Sequence, residues 1–169
     1  MPLSSYGLEF DGALLRRGFW LYVWRITCGG RTVLYVGRTG DSSSPNASSP
    51  FRRIGQHLDP RANSKSTALA RQLKAVGISP ESCRFEMIAI GPVFPEQKEM
   101  ERHLELRNKA GALERALADH LRKAGHDVLG GHSRVAECDD NLCSEICRIA
   151  DDRLGVPRPA GSRGVRHRR

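Results

Sequence analysis

The chain has 169 residues and a mass of 18.7 kDa, enough for one core with terminal extensions, since domains commonly run about 100 to 150 residues. No run approaches the roughly 18 consecutive apolar residues of a membrane span, and the first eleven residues lack a basic start followed by an apolar stretch. Neither insertion nor export is therefore expected, and a cytoplasmic location is. The net charge of +8 points to a polyanionic partner, although five arginines (Arg158, Arg163, Arg166, Arg168, Arg169) follow Pro157 and leave +3 for residues 1–157.

Residues 1–17 read as an N-terminal extension. Residues 19–27 are apolar, aromatic and β-branched, Cys28-Gly29-Gly30-Arg31 is a turn signal, and 32–37 is a second β-prone run, so the segment is expected to form a β-hairpin. Phe19, Trp20 and Trp24 on that hairpin read as core, while Tyr22 and Tyr35 also carry hydroxyls suited to chemistry. The serine- and proline-rich stretch 39–50 lacks periodicity and reads as a loop. Ser49 and Pro50 then make an N-cap and first-turn pair for a helix over 51–58, on which Arg53 and His57, at i and i+4, share a face.

A second helix is expected over 64–75, with Leu69, Leu73 and Val76 inward and Gly77 as its stop. Residues 84–90 alternate as a third strand that ends at Gly91-Pro92. From Pro95 a helical pattern of Met100, Leu104, Leu106, Leu113, Leu117 and Leu121 runs to Gly125, with Gly111 as a candidate break into two helices. A last helix over 139–154 turns Leu142, Ile146 and Ile149 inward, and the segment after Pro157 is expected to be a basic disordered tail.

The five cysteines are an odd number in a chain with no export signal, which favours reduced thiols. Cys138, Cys143 and Cys147 with His132 are poorly spaced for zinc, and small buried thiols are ordinary on an amphipathic helix. Basic residues cluster over 52–74, where Arg52, Arg53, Arg61, Lys65, Arg71 and Lys74 face one acid, Asp59; the plainer reading of such a run is a solvated helix face.

Tyr22, Tyr35, Arg53, His57 and Glu114 together match what phosphodiester hydrolysis requires. A nucleophilic water must lose a proton, a five-coordinate phosphorus must carry extra negative charge, and a leaving oxygen must be neutralised. A tyrosine or histidine serves the first need, an arginine the second, and a carboxylate holding a divalent cation the third.

The same residues resemble the motifs of the GIY-YIG endonuclease superfamily. Trp20-Leu21-Tyr22 resembles the first motif, Leu34-Tyr35-Val36-Gly37-Arg38-Thr39 the second, Arg53-x-x-x-His57 the helix motif, and Glu114 in ALERALADHL the metal carboxylate. The likeness spans residues 18–127, with 128–157 left as a helical extension and 158–169 as the tail. It implies a small α/β (α+β) domain, a three-stranded antiparallel sheet flanked by helices, that hydrolyses DNA with one divalent cation, Mg2+ or Mn2+. The chain departs from the pattern in three ways: Trp20 and Leu21 stand for the first motif's glycine and isoleucine, the serine-rich loop lengthens the interval from Tyr35 to Arg53, and His126 and Asp127 occupy the neighbourhood of a supporting asparagine.

Tyr22, Tyr35 and His57 are all candidates for the general base, with neighbouring arginines expected to bring a tyrosine within reach of deprotonation. Arg53 is the expected phosphate clamp, and Arg38 a contact to the scissile phosphate or its neighbour. Arg52 points about 100° away around the helix and, with Lys65 and Arg71, is expected to meet the DNA backbone. Glu114 is the expected metal ligand because it lies between Leu113 and Leu117, whereas Glu99, Glu101 and Glu105 lie in a charged, solvated stretch; its plainer role is an ion pair with Arg115 or Arg122. His103, His120, His126 and His132 are expected at the surface or in packing. The functional expectation is a divalent-metal endonuclease acting on DNA, branched or otherwise structured DNA included, and the alternative is a catalytically weak nucleic-acid-binding module of the same fold.

Overall fold

A computed structural model describes residues 3–41, 44–59, 68–131 and 138–155. Strands β1 (Phe19–Cys28) and β2 (Arg31–Arg38) form the expected hairpin, paired from Cys28↔Arg31 to Leu21↔Arg38. Its two turn residues, Gly29 and Gly30, have φ of 55° and 83°, the left-handed geometry that matches the twist of the flanking strands and that glycine adopts without steric cost. Strand β3 (Arg84–Phe94) pairs antiparallel with the other side of β1. The helices are α1 (Pro50–His57), α2 (Ala68–Ala75), α3 (Met100–Lys123) and α4 (Asp140–Leu154).

The fold is mixed α and β, but the sheet has four strands rather than three, in the order β3-β1-β2-β4. The added strand β4 (Val128–Leu129) runs parallel to β2 and pairs only with its Leu34 and Tyr35. Two residues carry no readable alternation, so such a strand exists only because β2 offers an edge to it. The domain boundary expected at 127 therefore falls inside the sheet, and Ile146 and Ala150 of α4 belong to the same core as α3.

Alternation along the strands sorts the side chains onto two faces. Leu21, Val23, Leu34, Val36, Ile88 and Ile90 face α3 and α4 and pack on Leu113, Leu117, Leu121 and Ile146. Tyr22, Trp24, Ile26, Val33 and Tyr35 face the other way, onto Leu69 and Leu73 of α2 and, less deeply, Ile54 and Leu58. Leu69, Leu73, Leu117 and Leu121 are fully buried, each stabilising the fold by about 1.5–3 kcal/mol relative to exposure.

Several expectations are corrected. Strand β3 continues through Gly91-Pro92 to Phe94, which its edge position permits because a proline there sacrifices no hydrogen bond to an outer neighbour. Helix α3 starts at Met100 rather than near Pro95, and it passes Gly111 unbroken. Val76 is 39% exposed because α2 ends at Ala75 and Val76 lies in the turn beyond it. Cys138 and Cys143 are joined as a disulfide with Cα atoms 6.6 Å apart, while Cys28, Cys83 and Cys147 are free. Helix α2 is described from Ala68, and the tail after Pro157 lies outside the described residues. No described helix is long and apolar enough to cross a membrane.

Candidate active site

Tyr22 and Tyr35 share one sheet face: Tyr22 opposes Gly37, Trp24 opposes Tyr35, and the two tyrosines are therefore diagonal neighbours. Gly37 is required by space, since a Cβ there would stand 2.5 Å from Tyr22 Cε2. Beneath them α1 is held by its cap, Ser49 Oγ accepting from Arg52 N, with Pro50 in the first turn. That start sets the helix phase, so Arg53 and His57 both turn toward the sheet; His57 is buried and Arg53 is nearly so. From the other side α3 presents Glu114. Among the described residues β4 covers only Leu34 and Tyr35, so the part of β2 carrying Gly37 and Arg38 has no further strand beside it.

One cavity of about 230 Å³ is lined by Tyr22, Tyr35, Arg38, Arg53, His57 and Glu114, the six residues expected to act together, and also by Gly37, Gly40, Asp41 and Arg107. Tyr22 Oη lies 2.6 Å from His57 Nε2 and 3.1 Å from the carbonyl oxygen of Arg38. The single phenolic proton satisfies one of these acceptors at a time, so the His57 tautomer and the direction of the Tyr22 hydroxyl are coupled. The other ring nitrogen, Nδ1, is buried with no partner. Both tyrosine rings meet His57 edge-on, with centroids 5.6 Å and 5.5 Å away.

Burial dominates the electrostatics of this cluster. It pushes Tyr22 well above its ordinary value and Tyr35 up to about 12, outweighing the arginines, which pull both down; Glu114 adds to the rise. The expected activation of a tyrosine by its arginines is therefore not what these surroundings produce: five units above neutral pH leaves about one Tyr35 in 10⁵ ionised, a deficit of roughly 7 kcal/mol. His57 moves the opposite way, lowered to about 4 by burial first and by the Arg53 charge second, and so is a neutral imidazole at pH 7.

Arg38 Nε donates to Glu114 Oε2 at 3.1 Å, both side chains about one-fifth exposed, and its Nη1 donates to the carbonyl of Gly40. Arg115 and Arg122, the surface alternatives for Glu114, both reach Asp119. Arg53 Nη1 donates to Gln56 Oε1 at 3.2 Å and Nη2 stands 3.8 Å from Asp41, while its Nε is buried without a partner. Three basic side chains, those of Arg38, Arg53 and Arg107, thus line the cavity with two acidic ones, Asp41 and Glu114.

Among the residues lining the cavity, Glu114 and Asp41 are the carboxylates that could hold a divalent cation. Hard oxygen from one or two carboxylates, completed by waters and substrate phosphate, suits Mg2+ or Mn2+. Among the described residues no group of three or more His, Cys, Asp and Glu forms a cage.

The remaining candidates scatter. Arg52 is exposed and lines a second, larger cavity of about 480 Å³ with Arg17, Asn46, Ser48 and Gln56, which shares Gly40, Asp41 and Arg53 with the first. Arg71 is exposed on α2, though near enough for its charge to act on Tyr35. Lys65 lies outside the described residues. Asp127 pairs with Arg31 at 2.7 Å, at the turn end of β2 and away from Arg38, so it does not stand in for a supporting asparagine. His103 is fully buried and its Nε2 lies 2.7 Å from the carbonyl oxygen of Asp41, tying α3 to the loop that also meets Arg38 and Arg53.

Sequence reasoning missed Arg107 and Asp41. Arg107 had a signal, since it precedes Glu114 by two helical turns and so shares its face. Asp41 sits in a loop without periodicity and had none. No family model, no curated protein and no solved structure matches this chain.

Proposed function

We propose that this chain is a divalent-cation-dependent endonuclease of the GIY-YIG type that hydrolyses DNA phosphodiester bonds. The observation that carries the reading is the convergence of Tyr22, Tyr35, Arg38, Arg53, His57 and Glu114 from four elements onto one cavity, with Tyr22 Oη 2.6 Å from His57 Nε2. Arg53, with Arg38 and Arg107, binds the phosphate and answers the charge that grows on its oxygens. His57 is the proton acceptor, through Tyr22: with Nε2 bare, the phenol passes its proton to the imidazole as it takes one from water, and no free phenolate has to form. Tyr35 orders the ring of His57. When bound at Glu114, a divalent cation would neutralise the leaving oxygen. The larger cavity beside Arg53 offers Arg52 and polar side chains to the flanking backbone.

The second reading, a binding module of the same fold, is favoured by one observation: the Arg38–Glu114 ion pair, which already neutralises the carboxylate. The two part on plasmid DNA. Incubation with Mg2+ or Mn2+ should convert supercoiled plasmid to nicked circles, and chelator or His57→Ala should stop it. Binding without nicking under every metal condition would leave the module.

A further inference from the structure

Cys28 is the last residue of β1 and Cys83 immediately precedes β3, and the antiparallel register that sets Thr27 opposite Arg84 brings the two cysteines opposite one another. Both thiols are free and partly buried. They share a compact set of contacts: Cys83 Sγ donates to Ser79 O at 3.2 Å, Cys28 Sγ lies 3.3 Å from Ser82 Oγ, and Ser82 Oγ donates to Ser79 O at 2.8 Å. Burial first, and then a hydrogen bond with Cys28, push the Cys83 thiol up to about 11. Residues directly opposed in antiparallel strands have Cα atoms about 4.5 or 5.5 Å apart, within the roughly 4.4–6.8 Å that a disulfide spans, so closure needs little backbone movement.

We propose that Cys28 and Cys83 form a dithiol that closes to a cross-strand disulfide by exchange with a small-molecule disulfide of the glutathione type. Cys28, as thiolate, attacks one sulfur of oxidised glutathione; the S–S bond breaks and one glutathione leaves, taking up the proton that Cys28 released. Cys83, held protonated at neutral pH, gives its proton to solvent and attacks the Cys28 sulfur, and the second glutathione leaves. Two electrons pass from the protein to the oxidant, and one S–S bond replaces another. The new bond closes a loop over residues 29–82, the segment that carries Tyr35, Arg38, Arg53 and His57, on the sheet face that Cys28 and Cys83 share with both site tyrosines. It would therefore staple the side of the sheet on which the candidate active site is built. This inference stands independently of the nuclease reading.

The test uses the full chain, reduced, desalted, treated with oxidised glutathione and quenched with N-ethylmaleimide. Tryptic mapping should find residues 26–31 joined to 75–84, two hydrogens lighter than the separate peptides, apart from any peptide bearing Cys138 and Cys143. The melting temperature should rise on oxidation by on the order of 10 °C more in the wild type than in Cys28→Ser, which keeps the Cys138–Cys143 pair, and should fall back with dithiothreitol. N-ethylmaleimide on both cysteines after the treatment, or a separate glutathione on each, would overturn the proposal.

Discussion

At the scale of residues, the contest in the candidate site is between burial and charge. Arg53 pulls both tyrosines toward ionisation, joined by Arg38 at Tyr22 and by Arg71 at Tyr35, but taking a phenolate out of water costs more, and Tyr22 and Tyr35 both end above their ordinary values. In the proposed mechanism Tyr22 is thereby a relay and His57 the acceptor. Tyr22→Phe removes only a hydroxyl, so it should leave the fold intact and lower the nicking rate by about a hundredfold or more, whereas Tyr35→Phe should cost less; nicking rates beside circular dichroism check this. A second expectation concerns stability. His57 titrates at about 4 when folded against 6.5 as its ordinary value, so between those values the unfolded chain binds more protons. The stability from neutral burial of His57 is complete above pH 6.5 and is lost as pH falls toward 4, amounting to about 3 kcal/mol. Urea midpoints from pH 7 to 4.5 should fall more steeply for wild type than for His57→Gln. Parallel slopes would contradict it. The sequence displayed the residue types and their order but not the direction of these shifts, because the burial that decides them comes from α2, whose Leu69 and Leu73 close over the tyrosine face only in three dimensions.

At the scale of elements, the hairpin, α1 and α4 were legible because each carries its own local signal: two glycines for the turn, Ser49-Pro50 for the first helix, Asp139 as a side-chain cap for the last. Elements made by their neighbours were not. Strand β4 exists by pairing with Leu34 and Tyr35, and β3 outruns its apparent stop at Pro92 because Phe94 still finds Phe19 across a bulge in the register. Gly111 reads as a breaker, yet α3 is continuous there because Ala110, Ala112 and Leu113 are buried on either side of it. A Cβ at Gly111 would meet Arg38 Nε at 3.6 Å, an ordinary contact. Gly111→Ala should therefore raise stability by about 0.5–1 kcal/mol in denaturant unfolding, the helix-propensity difference; a loss would mean that Arg38 needs that space.

At the scale of the whole molecule, helices cover both sheet faces, α3 and α4 on one and α1 and α2 on the other, and the candidate site lies where the exposed end of β2 meets α1 and α3. Basic groups from three elements, Arg38, Arg53 and Arg107, converge there inside a chain of net charge +8. If six or more phosphates are engaged in binding, raising salt from about 50 to about 200 mM should weaken DNA affinity by orders of magnitude. The central claim is that this convergence cleaves DNA rather than only holding it, and Glu114→Gln separates the two most directly. The substitution keeps size and helix propensity, releases Arg38 from its ion pair and removes the charge that would hold a cation. Filter binding and plasmid nicking in Mg2+ would be measured on one preparation. The account predicts DNA affinity equal to or tighter than wild type with nicking slowed by about a hundredfold or more. Nicking by Glu114→Gln at the wild-type rate would contradict it.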